Sequence, residues 1–272
     1  MKRVYTWAAQ PAKRSVTVAD LRAGKGQRTF TQVTANTADE AIAAAEAGID
    51  MIIGNSQNVE TVRAGNDTLF LTAAIGLPNF ATNDDILREA FRVLALGADA
   101  VMTARSMSVV EMLAREEIPV MGHLGLVPRK STWVGGLRAV GKTGDEAFEL
   151  YQRFRRLEDA GAVLVEAEVI PGPVMAEISA RSGLITVSLG SGTGADVMYL
   201  FMEDICGEKE GAPRHARAFG NLARLYRQIR EERIEALKAF REASMSGGFP
   251  ADEETATIEP QELERFLTRL ES

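Results

Sequence analysis

Gly122-His123-Leu124-Gly125-Leu126, with Pro128 just beyond, places one of the chain's two histidines at the end of an apolar run, Ile118-Pro119-Val120-Met121. An imidazole changes charge near neutral pH, so it can hydrogen-bond a ligand or move a proton. Flanking glycines let the backbone turn sharply and approach a small molecule closely. The pattern predicts a short buried strand that runs into a glycine-hinged loop, the place where parallel α/β barrels keep their chemistry. A histidine that merely ties one loop to another fits the same position. A second apolar run, residues 163–168, carries Glu166 and Glu168, which strand alternation turns to one side. Two inward carboxylates can share a proton, bind a metal or pair with Arg105, and the sequence does not choose among these. Gly190-Ser191-Gly192-Thr193-Gly194 has the glycine content of an anion nest but lacks the full dinucleotide fingerprint and the P-loop lysine. No strand expected from the sequence ends in lysine, so Schiff-base chemistry has only Lys130, in the loop after His123, to draw on.

The elements that must hold these groups follow from the spacing of apolar residues. Runs at residues 29–33, 51–53, 69–74, 100–102, 118–121, 163–168, 186–189 and 197–202 read as strands. Helical patterns lie between them at 38–47, 84–96, 109–115, 145–160 and 174–180, several with glycine just past the end, as at Gly48, Gly97 and Gly161. Alternation of this kind predicts a (β/α)8 TIM barrel, with a core over about residues 28–207. A long charged helix is expected over 216–243, with Leu222, Leu225, Ile229, Leu237 and Phe240 spaced to pack on its own barrel or between subunits. Gly247-Gly248-Phe249-Pro250 breaks it, and Pro260 opens a short terminal helix ending near Leu270. Residues 1–272 are thus expected to form one domain, with a C-terminal helical extension over about 214–272.

Composition narrows the function. A net charge of −7, with basic residues scattered or paired with acids, argues against a nucleic-acid partner. The single Cys206 precludes an intramolecular disulfide, and neither a signal-type leader nor a bilayer-length apolar stretch is present. The expectation is a cytoplasmic protein with no membrane association that acts on small molecules.

The GHLGL segment resembles that of the 3-methyl-2-oxobutanoate (ketopantoate) hydroxymethyltransferases, in the phosphoenolpyruvate mutase/isocitrate lyase superfamily. The likeness continues in order through Gly54-Asn55-Ser56, Ala81-Thr82, Gly161-Ala162 leading to Glu168 and Pro171, Ser188-Leu189-Gly190-Ser191-Gly192 before Asp196, Met202-Glu203-Asp204 and Phe249-Pro250. It implies a transferase of pantothenate biosynthesis that enolises a small α-keto acid and adds a one-carbon unit from 5,10-methylenetetrahydrofolate. Asn55, Ser56, Ala74, Met102, Ala104, His123 and Glu168 would then meet around one ligand. Glu168 matches the proton-transferring base, while Ser56 and His123 match substrate-binding positions. A carboxylate paired within the barrel is the structural alternative for Glu168.

Several positions depart from the family pattern. Its two metal-binding aspartates fall on Asn55 and Ala74, and its active-site lysine and glutamate on Met102 and Ala104. No complete metal-ligand set remains, so magnesium, a hard cation that favours anionic oxygens, is expected to bind weakly. Asn55 could serve as a weak amide ligand, and Glu166 and Glu168 as substitutes. Arg105 or Arg129 could replace the lost lysine charge, or both could be surface residues. The segment between Ser56 and Ala74 is also shorter than in the family, which predicts a missing or reduced helix. Three outcomes follow: the family reaction, an aldolase or lyase acting on another keto acid, or a non-catalytic ligand-binding barrel. A homo-oligomer is expected, because the relatives assemble through helices and closed symmetry suits such surfaces.

Overall fold

A computed structural model describes residues 1–209 and 211–271. The chain folds as two compact units, one ending at Gly220 and the other beginning at Asn221.

The first unit opens with an antiparallel hairpin of β1 (Lys2–Tyr5) and β2 (Pro11–Arg14), followed by α1 (Val18–Gly24). A closed parallel barrel comes next, built from β3 (Phe30–Thr34), β4 (Met51–Asn55), β5 (Phe70–Ala74), β6 (Ala100–Met102), β7 (Val120–Gly125), β8 (Leu164–Glu168), β9 (Ile185–Leu189) and β10 (Val197–Leu200). Between them lie α2 (Ala38–Glu46), α3 (Val59–Gly65), α4 (Asn83–Ala95), α5 (Met107–Arg115), α6 (Ser131–Val134), α7 (Gly144–Asp159) and α8 (Gly172–Arg181), with α9 (Met202–Cys206) after the last strand. This is the expected (β/α)8 barrel. Capping boxes set several helix starts: Thr17 with Asp20, Thr37 with Glu40 and Thr82 with Asp85. Each cap oxygen satisfies an orphan backbone N–H, worth about 1 kcal/mol.

Strand periodicity sorts the side chains into two layers. Phe30, Met51, Phe70, Ala100, Met121, Leu164, Ile185 and Val197 form the cluster inside the barrel, which Val16 and Leu21 of the N-terminal segment join. Leu21 is fully buried, and withdrawing such a side chain from water contributes about 1.5–3 kcal/mol. The alternate residues, including Ile52, Leu71, Val101, Val120 and Val165, face the helices in a second cluster. At one rim the buried Arg14 donates to both Asp99 carboxylate oxygens at 2.7 and 2.9 Å, while Arg63 reaches the same carboxylate at 2.7 Å.

The structure moves some expected boundaries. The strand expected at 118–121 starts later and runs on to Gly125, so His123 and both flanking glycines lie within β7 and not in the loop after it. The cause is the pairing with β8, which continues through His123 opposite Glu166 and Gly125 opposite Glu168. The run at 197–202 stops as a strand at Leu200, where the Met202 N–H turns to Thr34 Oγ1 and α9 begins. The segment after Ser56, where a missing or reduced helix is expected, holds α3, a helix of seven residues.

Beyond Gly220 the second unit consists of α10 (Leu222–Ser246) and α11 (Pro260–Leu270). The long helix starts later than expected because Asn221 caps it, accepting from the Arg224 N–H at 3.2 Å. None of its residues is buried. Among the described residues no helix is long and apolar enough to cross a membrane.

Candidate active site

The C-terminal halves of β7 and β8 set a histidine against two acids. His123 Nε2 lies 2.9 Å from Glu168 Oε2 and 3.6 Å from Glu166 Oε1, with all three side chains almost wholly withdrawn from solvent. Gly125 makes this approach possible. It sits at φ +88°, and a Cβ there would fall 2.2 Å from the Glu168 carbonyl oxygen. The Leu126 N–H donates to that same carbonyl at 2.8 Å, locking the two strand ends together. Val169, directly after Glu168, holds φ +49°, a left-handed conformation that costs a β-branched residue energy.

Charge in this cluster is shared. Burial pulls the His123 pKa down, but the hydrogen bond to Glu168, the charges of Glu166 and Glu168 and a contact with the Leu126 backbone outweigh it and leave the imidazole above its ordinary value. Glu166 moves up as well, chiefly through burial, with the Glu168 charge adding to the shift and His123 opposing it. The arrangement therefore sets an imidazole that binds its proton more tightly than usual against two acids, of which Glu166 also binds its proton more tightly than an exposed glutamate does. The Tyr199 phenol is held firmly neutral by burial and by both nearby acids.

Two interior groups escaped the sequence reading. Gln32 is 1% exposed and Thr72 wholly buried, and neither the Gln32 amide nor the Thr72 hydroxyl has a hydrogen-bond partner. Both alternate with interior residues, Phe30 and Phe70, so they point into the same barrel. A buried polar group without a partner costs about 1–3 kcal/mol, which marks a place where a polar ligand would be welcome. A polar residue at an interior strand position was the available signal.

The other expected site residues divide. Asn55, Ala74 and Met102 sit side by side in the sheet register, and Met102 pairs with Met121. Asn55 is exposed at the rim, where its Oδ1 accepts from the Gln57 N–H at 3.1 Å and caps a short turn. Ser56 is buried on the other face, towards α4. Its carbonyl accepts from Arg92 at 2.8 Å. Burial raises the Glu89 carboxyl, but the hydrogen bonds and charge of Arg92 prevail and hold it below the usual range, while the buried Ser56 hydroxyl itself has no hydrogen-bond partner. Arg105 donates to the Ala81 carbonyl at 2.5 Å and Arg129 to that of Ala104, so both clamp loops at the mouth. In the glycine-rich segment, Ser191 Oγ donates to the Ala167 carbonyl at 2.7 Å and accepts from the Ile170 N–H at 2.9 Å, bracing the strand that carries Glu168.

A hard divalent cation held by the side chains of Asn55 and Ala74 does not fit these residues. Asn55 Oδ1 is already engaged and Ala74 has no ligand atom. One ligand atom from each of His123, Glu166 and Glu168 does lie within 4.8 Å of the others.

The chain resembles known proteins over most of its length. The chain is 29% identical over 265 residues to the 3-methyl-2-oxobutanoate hydroxymethyltransferase of Pyrobaculum islandicum, covering 88% of this chain and 98% of that one. It is 29% identical over 279 residues to the enzyme of the same name from Oleidesulfovibrio alaskensis, covering 93% and 94%. A solved structure described as a phosphonomutase from Burkholderia cenocepacia superposes with a TM-score of 0.53 at 13% identity, covering 67% of this chain and 92% of that one, a likeness of fold alone. The sequence profile of the ketopantoate hydroxymethyltransferases matches residues 55–252, and the chain belongs to that family.

Proposed function

We propose that this protein enolises a small α-keto acid at Glu168 and transfers to the enolate carbon a one-carbon unit from 5,10-methylenetetrahydrofolate. The observation that carries this reading is the Glu168–His123 pair, a carboxylate held by one oxygen at 2.9 Å in a water-poor barrel end. The other Glu168 oxygen takes the proton from the substrate carbon next to the carbonyl. The electron pair left behind moves onto the carbonyl oxygen, where the neighbouring imidazolium offsets the growing negative charge. The enolate carbon then forms its new bond to the methylene carbon as both methylene bonds to the folate nitrogens break; water supplies the product hydroxyl, and tetrahydrofolate leaves with the water proton and the proton taken by Glu168 on its two nitrogens. Gln32, Thr72 and the neutral Tyr199 phenol supply hydrogen-bonding groups for the acid's oxygens, a role that charged family residues would fill in the relatives. Nuclear magnetic resonance of a mixture of protein, 3-methyl-2-oxobutanoate and the folate tests the whole reaction. A new hydroxymethyl signal is expected, and enolisation without it would point to an aldolase or lyase on another keto acid.

A second reading concerns a cation. The approach of His123, Glu166 and Glu168 favours a mixed nitrogen and oxygen site in place of the family's aspartate pair. Metal content measured on the purified protein and on His123→Ala distinguishes them, because only an ion at this cluster is lost with the imidazole. Assembly into a homo-oligomer is part of the same proposal, supported by the exposed Ile229, Leu237 and Phe240 on α10.

A further inference from the structure

Beside β7 lies a cavity of about 570 Å3 lined by His123 and by five cations, Arg105, Arg129, Lys130, Arg153 and Arg156. No aspartate or glutamate lines it, although acids outnumber bases in the chain as a whole. None of the five cations forms a salt bridge with a carboxylate among the described residues. Arg105 and Arg129 donate to neutral backbone carbonyls, which leaves their charge uncompensated. The cluster is crowded enough to strain its own ionisation: burial first, then Arg153 and Arg129, pull the Lys130 ammonium down, and burial does the same to Arg153, with Glu149 opposing it and Arg156 adding to it. Ser106, the residue that starts α5, also lines the cavity, and its side chain does not cap the helix. Unspent N–H groups at a nine-residue helix start add to the positive potential.

Like charges gather at such a cost only where something negative offsets them. The interior of the barrel has lost its family lysine to Met102, yet positive charge is concentrated one step outward, in a space that His123 also borders. We infer that this cavity is an anion subsite, and that the substrate is a 2-oxo acid bearing a second anionic group, a carboxylate or phosphate, held there while the keto acid end lies by Glu168. This rests on the reading of Glu168 and His123 as the keto acid site. Arginine forks suit carboxylate and phosphate oxygens, and charge-assisted hydrogen bonds are the stronger kind.

Calorimetric titration of the full chain at low ionic strength tests the inference with two matched pairs, 2-oxoglutarate against 2-oxopentanoate and 2-oxoadipate against 2-oxohexanoate. Members of a pair share a carbon count and differ in the terminal carboxylate. In the wild type at least one diacid should bind about tenfold or more tightly than its partner, as one charge-assisted contact provides. Lys130→Gln with Arg153→Gln should cut that ratio below about threefold. Because those side chains are partly buried, the exposed Arg156→Gln is the second variant, with a smaller drop in the same ratio. Equal affinities within both pairs, or a ratio unchanged in both variants, would overturn the subsite. Proton exchange on the monoacids separates the two claims. Exchange without diacid preference sinks the subsite alone, whereas diacid preference without exchange of any acid sinks only the enolisation reading.

Discussion

Replacing Glu168 by Gln should reverse the charge preference of His123. The Glu168 oxygen sits 2.9 Å from Nε2, and at an effective dielectric constant of about 20 the Coulomb attraction of an ion pair at that distance is about 5–6 kcal/mol. Glutamine keeps a hydrogen-bond acceptor but removes the charge, and Glu166, farther away at 3.6 Å, replaces only part of it. A fall in the His123 pKa is the expected outcome. Burial, the largest influence on this imidazole, then prevails and carries it from above 6.5 to below. The chain contains only two histidines, so a titration followed through imidazole resonances yields two curves, and His123→Asn assigns them. The electrostatic account is refuted by a His123 titration that stays put or moves upward in Glu168→Gln.

Gly125→Ala should displace the Glu168 backbone, whose carbonyl oxygen would meet the new Cβ at 2.2 Å, at a cost of at least about 2 kcal/mol in denaturant unfolding. Gly135→Ala is the control, with a similar φ of +78° and nothing near the added carbon; equal losses at the two sites would leave the close approach without consequence. His123 and Glu166 both bind protons more tightly in the folded chain, so the stability each contributes is full at low pH and is lost as pH rises, from 4.5 upward for Glu166 and from 6.5 upward for His123. The melting temperature should therefore decline between about pH 5 and 8, and the decline should flatten in Glu166→Gln. A wild type and variant that run parallel across this range would contradict the assigned shifts.

Much of the barrel was legible because buried parallel strands are written as short apolar runs, and every expected barrel strand has its counterpart. The N-terminal hairpin was not, since Lys2–Tyr5 and Pro11–Arg14 carry few apolar residues and Arg14 is fixed by Asp99, far along the chain. α1 could have been found from Thr17 and Asp20, a capping pair at the right spacing. At the site, strand parity placed Glu166 beside Glu168, and the same parity argued against Ser56: if Asn55 closes β4 facing inward, the next residue turns to the helices. The convergence of Lys130, Arg153 and Arg156 on one cavity had no local signature. These residues come from a loop and a helix, and only folding brings them together.

The central claim is that Glu168 removes a proton from the carbon beside a keto acid carbonyl. Deuterium exchange at that carbon of 3-methyl-2-oxobutanoate, followed by nuclear magnetic resonance in heavy water without folate, isolates this step from carbon transfer. The wild type should exchange the proton catalytically, and Glu168→Gln should slow exchange by about 10²- to 10⁴-fold, the usual contribution of a positioned base. Exchange at an undiminished rate in Glu168→Gln, with the keto acid still bound, would contradict the account.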